Sequence, residues 1–211
     1  TFLEDWAYAL EKTDGDMPDN LDALLPDLID GPHAMQLVTS GPDTPSEPIH
    51  RAHLTAIQTA SERVWLTTPY FVPTEPAIYA LTSAALRGLD VRLLVPEKSD
   101  SAFVTAAARS YFDELMQAGV KVYEYSASML HSKTLLVDNN LAIVGTANFD
   151  NRSFRLNYEV CAIGYGPSLN AKLEDQFMAD LTKSKLVDPR RTQTFVRKLG
   201  DSAARLFSPL L

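Results

Sequence analysis

The stretch HSKTLLVDNNLAIVGTANFDNRSFRLNYE, residues 131–159, decides how the rest of this chain can fold. Its apolar run 133–137 predicts a strand, the pair Asn139-Asn140 predicts a turn, and the apolar run 141–144 predicts a returning strand. We therefore expect an antiparallel hairpin over 133–144. Any parallel strands elsewhere in the chain would have to share a mixed sheet with this hairpin.

The hairpin carries polar side chains that suit phosphate chemistry. Successive side chains of a strand alternate between its faces, so His131 and Lys133 are predicted to point the same way, about 7 Å apart. A titratable nitrogen beside a fixed positive charge is a sensible arrangement for attack on a phosphate. Asp138 has the opposite parity, so we expect it to order the turn at Asn139-Asn140 and not to touch the same ligand atoms.

Further polar groups follow the second strand of the hairpin. Thr146 and Asn148 come after the tight-turn residue Gly145 and offer a hydroxyl and an amide that can bond phosphate oxygens. Glu159 offers a carboxylate that could orient the His131 imidazole and determine which ring nitrogen carries the proton.

The remainder of the chain alternates between strand-like and helix-like segments, which predicts an α/β fold with parallel neighbours wherever a helix intervenes. The predicted strands are 35–39, 63–68, 91–95, 120–125 and 158–165, and the predicted helices are 2–12, 49–62, 76–87, 101–118, 168–186 and 190–207. We expect a mixed, mostly parallel β-sheet flanked by helices. The whole chain, 1–211, is predicted to be one domain: a helix and irregular connection over 1–32, an α/β core over 33–166 and closing helices over 167–211.

Composition excludes several classes of partner. With 45% hydrophobic and 22% charged residues, the chain has the make-up of an ordinary globular protein. The net charge of −8 argues against nucleic-acid binding, which needs clustered Lys and Arg, and against electrostatic adhesion to an anionic bilayer. Either kind of partner would have to be held by local geometry.

Two further features concern the compartment of the protein. Cys161 is the only cysteine, so an internal disulfide is excluded. No apolar run approaches the about 18 residues of a membrane span, and the start TFLEDWAYAL lacks the character of a signal peptide. Because the sequence does not begin with Met, we expect a soluble, processed or shortened part of a longer protein.

The motif His131-x-Lys133-x4-Asp138, followed after six residues by Gly145-Thr-Ala-Asn148, resembles the HxKxxxxD…G[ST]xN signature of the phospholipase D superfamily. More narrowly, the chain is similar to the C-terminal half of bacterial cardiolipin synthases of this type. The supporting stretches are SGPD (40–43), TTPYFVP (67–73), ALRGLDVRLLVPEKSD (85–100), RSYFDEL (109–115), AGVKVYEYSASMLHSKTLLVD (118–138), GTANFDNRSFRLNYEV (145–160) and SPLL (208–211).

The resemblance implies a half-domain with an α/β/α sandwich fold and one wall of a shared active site. It assigns catalysis to His131, Lys133, Asp138 and Glu159, and substrate-phosphate binding to Lys133, Thr146 and Asn148. Members of the family carry two motif copies whose histidines meet, whereas this chain has one. The implied partners are therefore phosphatidylglycerol and either a missing N-terminal half or a homodimer partner. No cofactor or metal is implied, and the intact enzyme would lie at the bacterial plasma membrane.

The implied chemistry is phosphatidyl transfer through a phosphohistidine, with a second histidine protonating the leaving alcohol and deprotonating the incoming one. Two phosphatidylglycerols would give cardiolipin and glycerol. Two alternatives stay open: a phosphodiesterase that passes the group to water, and a catalytically silent phosphate-binding half. Which histidine attacks also stays open.

Other residues have a simpler structural interpretation beside a functional one. Arg152 and Arg155 could bind the headgroup or pair with nearby carboxylates, and Ser40-Gly41 is predicted to be a plain turn. The spacing of His50 and His53 on a helix is compatible with a metal, but no third ligand is evident. Packing is the favoured role for Cys161 and for a last set that could instead contact the acyl chains of a lipid: Tyr70, Phe71, Met129 and Leu130.

Overall fold

A computed structural model describes residues 2–11, 20, 23, 27 and 30–191 of the chain, without the side chains of Glu4 and Asp5. The chain divides into two compact units, Thr1–Pro32 and His33–Leu211. The first unit contains α1 (Phe2–Glu11), which confirms the helix predicted over 2–12. Much of the predicted connection 13–32 and most of the helix predicted over 190–207 lie outside the described residues.

The second unit is built on an eight-stranded sheet and a separate pair of short strands. The strands are β1 (Ala34–Ser40), β2 (Arg63–Thr67), β3 (Phe71–Val72), β4 (Asp90–Pro96), β5 (Lys121–Tyr125), β6 (Thr134–Val137), β7 (Leu141–Gly145), β8 (Phe149–Asp150), β9 (Glu159–Tyr165) and β10 (Ser184–Leu186). The order across the sheet is β1-β9-β7-β6-β2-β4-β5-β10, and β3 pairs with β8. The predicted hairpin is confirmed as β6 and β7.

Helices cover both faces of the sheet, as an α/β/α sandwich requires. They are α2 (Pro48–Thr59), α3 (Glu75–Leu86), α4 (Ala102–Ser110), α5 (Phe112–Gln117), α6 (Asn151–Arg155) and α7 (Pro167–Leu181). The strands bury both faces: in β6, Leu135 packs with the main cluster, which includes Ile57 of α2, while Leu136 packs with Phe177 of α7 on the other side. Local capping also fixes helix starts, since the hydroxyls of Thr74 and Ser101 accept backbone N–H groups of α3 and α4.

The prediction of a mostly parallel sheet was wrong, although the mixed α/β class is confirmed. In the eight-stranded sheet only β2–β4 and β4–β5 are parallel; β1–β9, β9–β7, β7–β6, β6–β2 and β5–β10 are antiparallel. The physical reason is that the hairpin inserts between β9 and β2. Its direction reverses at a tight turn instead of being restored by a crossover helix.

Several short elements were not predicted. The helix expected over 101–118 is divided at Tyr111 into α4 and α5, and the end of the helix expected over 168–186 is instead the edge strand β10. The strands β3 and β8 and the helix α6 were also missed. The two strands contain two residues each, which is too short for an alternating hydrophobic pattern to be visible.

Candidate active site

Most of the predicted site residues lie at one edge of the sheet: His131, Lys133, Thr146, Asn148 and Glu159. The register places the starts of β6 and β9 beside the ends of β2, β7 and β1, because Thr134 pairs with Thr67, Gly145 with Cys161 and Glu159 with Ser40. The ends of the parallel strands β4 and β5 lie at the same edge. Ligand sites of open α/β sheets commonly lie outside the carboxyl ends of such strands.

His131 lies just before β6 at this edge, with an exposed side chain. Its ring makes no hydrogen bond with any residue that the structure describes. It lines a small open cleft together with Tyr70, Asp100 and Met129. The Tyr70 hydroxyl donates to Asp100 at 2.7 Å, which raises the pKa of Tyr70 and lowers that of Asp100. An imidazole that is exposed and unpaired is available to a ligand.

Lys133, like His131, precedes β6, which begins at Thr134, so the common side-chain direction predicted from strand parity stays a prediction. Its ammonium donates to the His131 carbonyl at 2.9 Å. Partial burial lowers the pKa of Lys133, because the charged form loses hydration, and the nearby carboxylates of Glu159 and Asp150 act in the opposite direction. The motif lysine thus lies within electrostatic reach of two carboxylates at the same edge.

The loop after β7 depends on the absence of a side chain at Gly145. A Cβ there would lie 2.4 Å from the Val160 carbonyl oxygen and 2.7 Å from Cys161 Cα, closer than packed atoms allow. The Thr146 hydroxyl accepts the Val160 N–H at 3.0 Å and contacts the Val160 carbonyl at 3.4 Å. Thr146 therefore ties the loop to β9, and its predicted phosphate contact remains a prediction.

Asn148 lies next to a buried carboxylate, that of Asp150. Its side chain bonds the Asp150 carboxylate, and its Oδ1 is buried without a hydrogen-bond partner in the described part of the chain. Asp150 is only 4% exposed, and its carboxylate accepts the Ser153 N–H at 2.7 Å as the N-cap of α6. Burial is the main cause that raises the pKa of Asp150, and the charge of Glu159 raises it further.

The Asn148 loop is fastened to the loop after β2. The buried Thr68 hydroxyl accepts the Phe149 N–H at 3.0 Å and donates to the Tyr70 carbonyl at 2.8 Å. Beneath this contact the rings of Phe71 and Phe149 stack, with centroids 5.8 Å apart. These contacts fix where Asn148 lies relative to the strand end of β2.

Glu159 lies at the start of β9, where its carboxylate accepts the Asn157 amide at 3.2 Å. The described residues include no hydrogen bond between Glu159 and His131, so the predicted orienting contact is not formed within this chain. Glu159 instead influences Lys133 and Asp150 through space.

Asp138 lies at the opposite end of β6 from His131. Its carboxylate accepts the backbone N–H groups of Ser61, Glu62 and Arg63 at 2.8–3.2 Å. Its backbone has a φ of +50°, a left-handed conformation that aspartate tolerates better than most residues. The carboxylate joins the hairpin turn to the start of β2, a long-range contact that goes beyond the predicted ordering of Asn139-Asn140.

The remaining candidates are mostly engaged in structural contacts. Arg155 pairs with Glu47 at 2.8 Å, and Ser40 accepts the Ile49 N–H. His50 bonds Glu47 and Thr74 through its two ring nitrogens, and burial lowers the pKa of His53 to about 4. The predicted packing role is confirmed for Phe71, Leu130 and Cys161, which are buried. It was wrong for Met129, which is 75% exposed.

Asp150 and Thr68 were not singled out from the sequence. Asp150 does lie inside the opening stretch, three residues before Ser153, which is the spacing of an N-cap aspartate. Thr68 carries no comparable signal, because its partners Phe149 and Tyr70 are brought to it only by the sheet.

Two kinds of feature are absent from the part of the chain that the structure describes. No group of three or more His, Cys, Asp or Glu side chains there could hold a metal ion. Within the same residues, no helix has the length and apolar character needed to cross a membrane.

Comparison with known proteins agrees with the geometry. The family described as "Cardiolipin synthase, PLD-like domain" matches residues 54–181. The cardiolipin synthase of Geobacillus sp. (strain WCH70) is 43% identical over 217 residues, and the match covers 100% of this chain but only 42% of that protein. The chain thus spans less than half the length of this relative.

Solved structures show the same fold at lower identity. The phospholipase D family member Nuc from Salmonella typhimurium superposes with a TM-score of 0.64 at 21% identity, covering 74% of this chain and 98% of that one. Phosphatidylserine synthase from Haemophilus influenzae superposes with a TM-score of 0.67 at 15% identity, covering 89% of this chain and 49% of that one. With the family match over more than half of its residues, this chain belongs to the cardiolipin synthase family of phospholipase D-like domains.

Proposed function

We propose that this chain supplies one half of the active site of a cardiolipin synthase-like phosphatidyltransferase. The observation that carries the proposal is the meeting of His131, Lys133 and Asn148 at one sheet edge, with the His131 ring exposed and unpaired among the described residues. Such a site has a nucleophile or an acid, but not both. The complete enzyme would convert two phosphatidylglycerols into cardiolipin and glycerol, at the bacterial plasma membrane.

The proposed reaction needs two histidines, because one acts as the nucleophile while the other acts as the general acid and then as the general base. One neutral imidazole attacks phosphorus, so that a P–N bond forms while the P–O bond to glycerol breaks. The other imidazolium gives its proton to the departing alkoxide. It then takes the proton of the second phosphatidylglycerol's hydroxyl, whose oxygen attacks phosphorus and releases the first histidine. The unperturbed pKa of imidazole, about 6.5, suits both tasks.

Lys133 and Asn148 would stabilise the negative charge that grows on the phosphorus-bound oxygens. Glu159 and Asp150 favour the charged ammonium of Lys133 against the effect of its burial. Glu159 would orient an imidazole of the complete site. We assign Asp138 and Thr146 to holding the hairpin and the loop in place, since their polar atoms already contact backbone groups.

The second histidine would come from another half-domain or from a second copy of this chain. Both arrangements have support in the comparisons, because a unit of this fold makes up 98% of the matched Nuc chain but 49% of the matched phosphatidylserine synthase chain. A homodimer would place two copies of His131 near a twofold axis.

The test is to incubate the chain, alone and with the half-domain that precedes it in a full-length relative, with radiolabelled phosphatidylglycerol. Thin-layer separation then distinguishes cardiolipin from phosphatidic acid. We expect cardiolipin in the combined reaction, lost in His131→Ala and retained in His33→Ala, which removes a histidine outside the motif. Unchanged cardiolipin production by His131→Ala would contradict the proposal.

A second candidate function is hydrolysis by the same phosphohistidine route. The exposure of His131 favours it, because water that reaches the intermediate competes with an alcohol. Phosphatidic acid as the sole product of the combined halves would support this alternative, and no product from any combination would support a silent phosphate-binding half.

A further inference from the structure

Three exposed apolar side chains lie at the sheet edge that carries the candidate active site. Met129 is 75% exposed, Leu156 is 56% exposed and Tyr158 is 70% exposed. Single exposed apolar residues are normal on protein surfaces. A group of three around one exposed histidine requires an explanation of its own.

The three side chains flank the motif on two sides. Met129 lies two residues before His131 and lines the same cleft. Leu156 and Tyr158 lie in the connection from α6 to β9, next to Glu159. One strand, β7, separates β9 from β6, so the starts of these two strands lie about 10 Å apart at the sheet edge. The Tyr158 ring is seated against Gly41, where an added Cβ would meet it at 2.6 Å.

We propose that Met129, Leu156 and Tyr158, here called the apolar rim, insert into the interfacial layer of a phospholipid bilayer and bring His131 to the headgroup phosphates. This inference rests on the proposed function, because it assumes a substrate whose phosphate lies at a bilayer surface. A lipid of that kind cannot diffuse freely to a site in water, so the site has to approach the surface.

The net charge of the chain indicates that binding to an anionic bilayer would depend on apolar contacts. The chain carries a net charge of −8 and would be repelled by anionic lipids, so its attraction to such a surface has to come from apolar contact. Binding of that kind grows with the apolar area that enters the interface. Tyrosine is enriched in this layer, since it combines an apolar ring with a polar hydroxyl.

The test measures partition of the chain into vesicles of equal parts phosphatidylcholine and phosphatidylglycerol by co-sedimentation. For Met129→Ser with Tyr158→Ser we expect a partition coefficient at least about tenfold lower. Leu86→Ser with Tyr79→Ser is the matched control, because these α3 residues are 74% and 70% exposed. The control should bind like the unaltered chain. Added salt should not weaken binding, in contrast to an electrostatic contact.

Three results would overturn the inference: no binding by the unaltered chain, an equal loss in the control, or a change of oligomeric state in the rim variant without a change in partition. Light scattering during size exclusion detects the last result, which would assign the rim to a second copy. Circular dichroism checks that each variant is folded. Vesicle binding can be measured without turnover. If binding depends on the rim while the combined halves form no cardiolipin, the proposed function is refuted and the rim inference stands.

Discussion

Mutation of Asp138 tests whether this residue acts in catalysis or in stability. Its position in the signature indicates a catalytic role, whereas its contacts indicate a structural role. Its carboxylate accepts three consecutive backbone N–H groups, those of Ser61, Glu62 and Arg63. We expect Asp138→Ala to lower the free energy of unfolding substantially. We expect Asp138→Asn to leave most of the turnover intact below the temperature at which the chain unfolds.

The magnitude follows from the contacts. A buried hydrogen bond to a charged group contributes about 1.5–3 kcal/mol, but Ser61 and Glu62 are exposed, so water replaces much of two of the three. We therefore assign about 2 kcal/mol to the carboxylate. Alanine at a φ of +50° adds about 1 kcal/mol of strain, which gives about 3 kcal/mol for Asp138→Ala. Glycine avoids that strain, so Asp138→Gly should lose only about 2 kcal/mol.

The assay is urea unfolding followed by far-ultraviolet circular dichroism. With a slope of about 2 kcal/mol per molar urea, Asp138→Ala should lower the midpoint by about 1.5 M. Asp175→Ala, which removes an exposed aspartate on α7, should change the unfolding free energy by less than about 0.5 kcal/mol. In the two-half activity assay, His131→Ala should lose at least about a thousandfold in turnover. An unchanged midpoint for Asp138→Ala with similarly lost turnover would refute the structural role.

Three further predictions concern the loop, a buried histidine and a buried carboxylate. Gly145→Ala should lower the unfolding free energy by about 2–3 kcal/mol in urea, because its Cβ would meet backbone atoms of β9, whereas Gly31→Ala, where space is open, should cost little. The pKa of His53 is about 4 in the folded chain and about 6.5 in the unfolded chain, so between pH 4 and pH 6.5 the unfolded state binds more protons. The free energy of unfolding should therefore fall by about 3 kcal/mol as the pH drops from about 6.5 to about 4. His53→Leu should remove this slope in unfolding curves at several pH values, and a slope that persists would contradict the assignment. Burial raises the pKa of Asp150 in the folded chain, so the charge of this carboxylate disfavours folding at neutral pH. Asp150→Asn can still cap α6, so its free energy of unfolding should lie no more than about 1 kcal/mol below that of the unaltered chain, or above it. Its turnover should nevertheless be slower, because Asn148 loses its ionic partner.

Much of the fold follows from short-range patterns. The hairpin over 133–144 was predicted within one residue at each end, because two apolar runs and the polar turn between them act locally. The break of the predicted helix at Tyr111 and the two-residue strands β3 and β8 were not predictable in this way. The two strands are joined by the stacking of Phe71 with Phe149 and by the Thr68 contact, which connect residues far apart in the chain.

The residue types and their spacing were enough to predict the chemistry of the candidate site: a histidine and a lysine two residues apart, followed by an asparagine behind a glycine. What each group contacts depends on the tertiary structure. It brought His131 and Glu159 to one sheet edge without joining them, and it placed Asp138 against Ser61, Glu62 and Arg63. It also brought the Asp150 carboxylate within hydrogen-bond reach of the Asn148 side chain. The physical reason is that a side chain's type fixes its protons and charge, whereas its role depends on neighbours that are distant in the chain and that only the sheet register brings within hydrogen-bond reach.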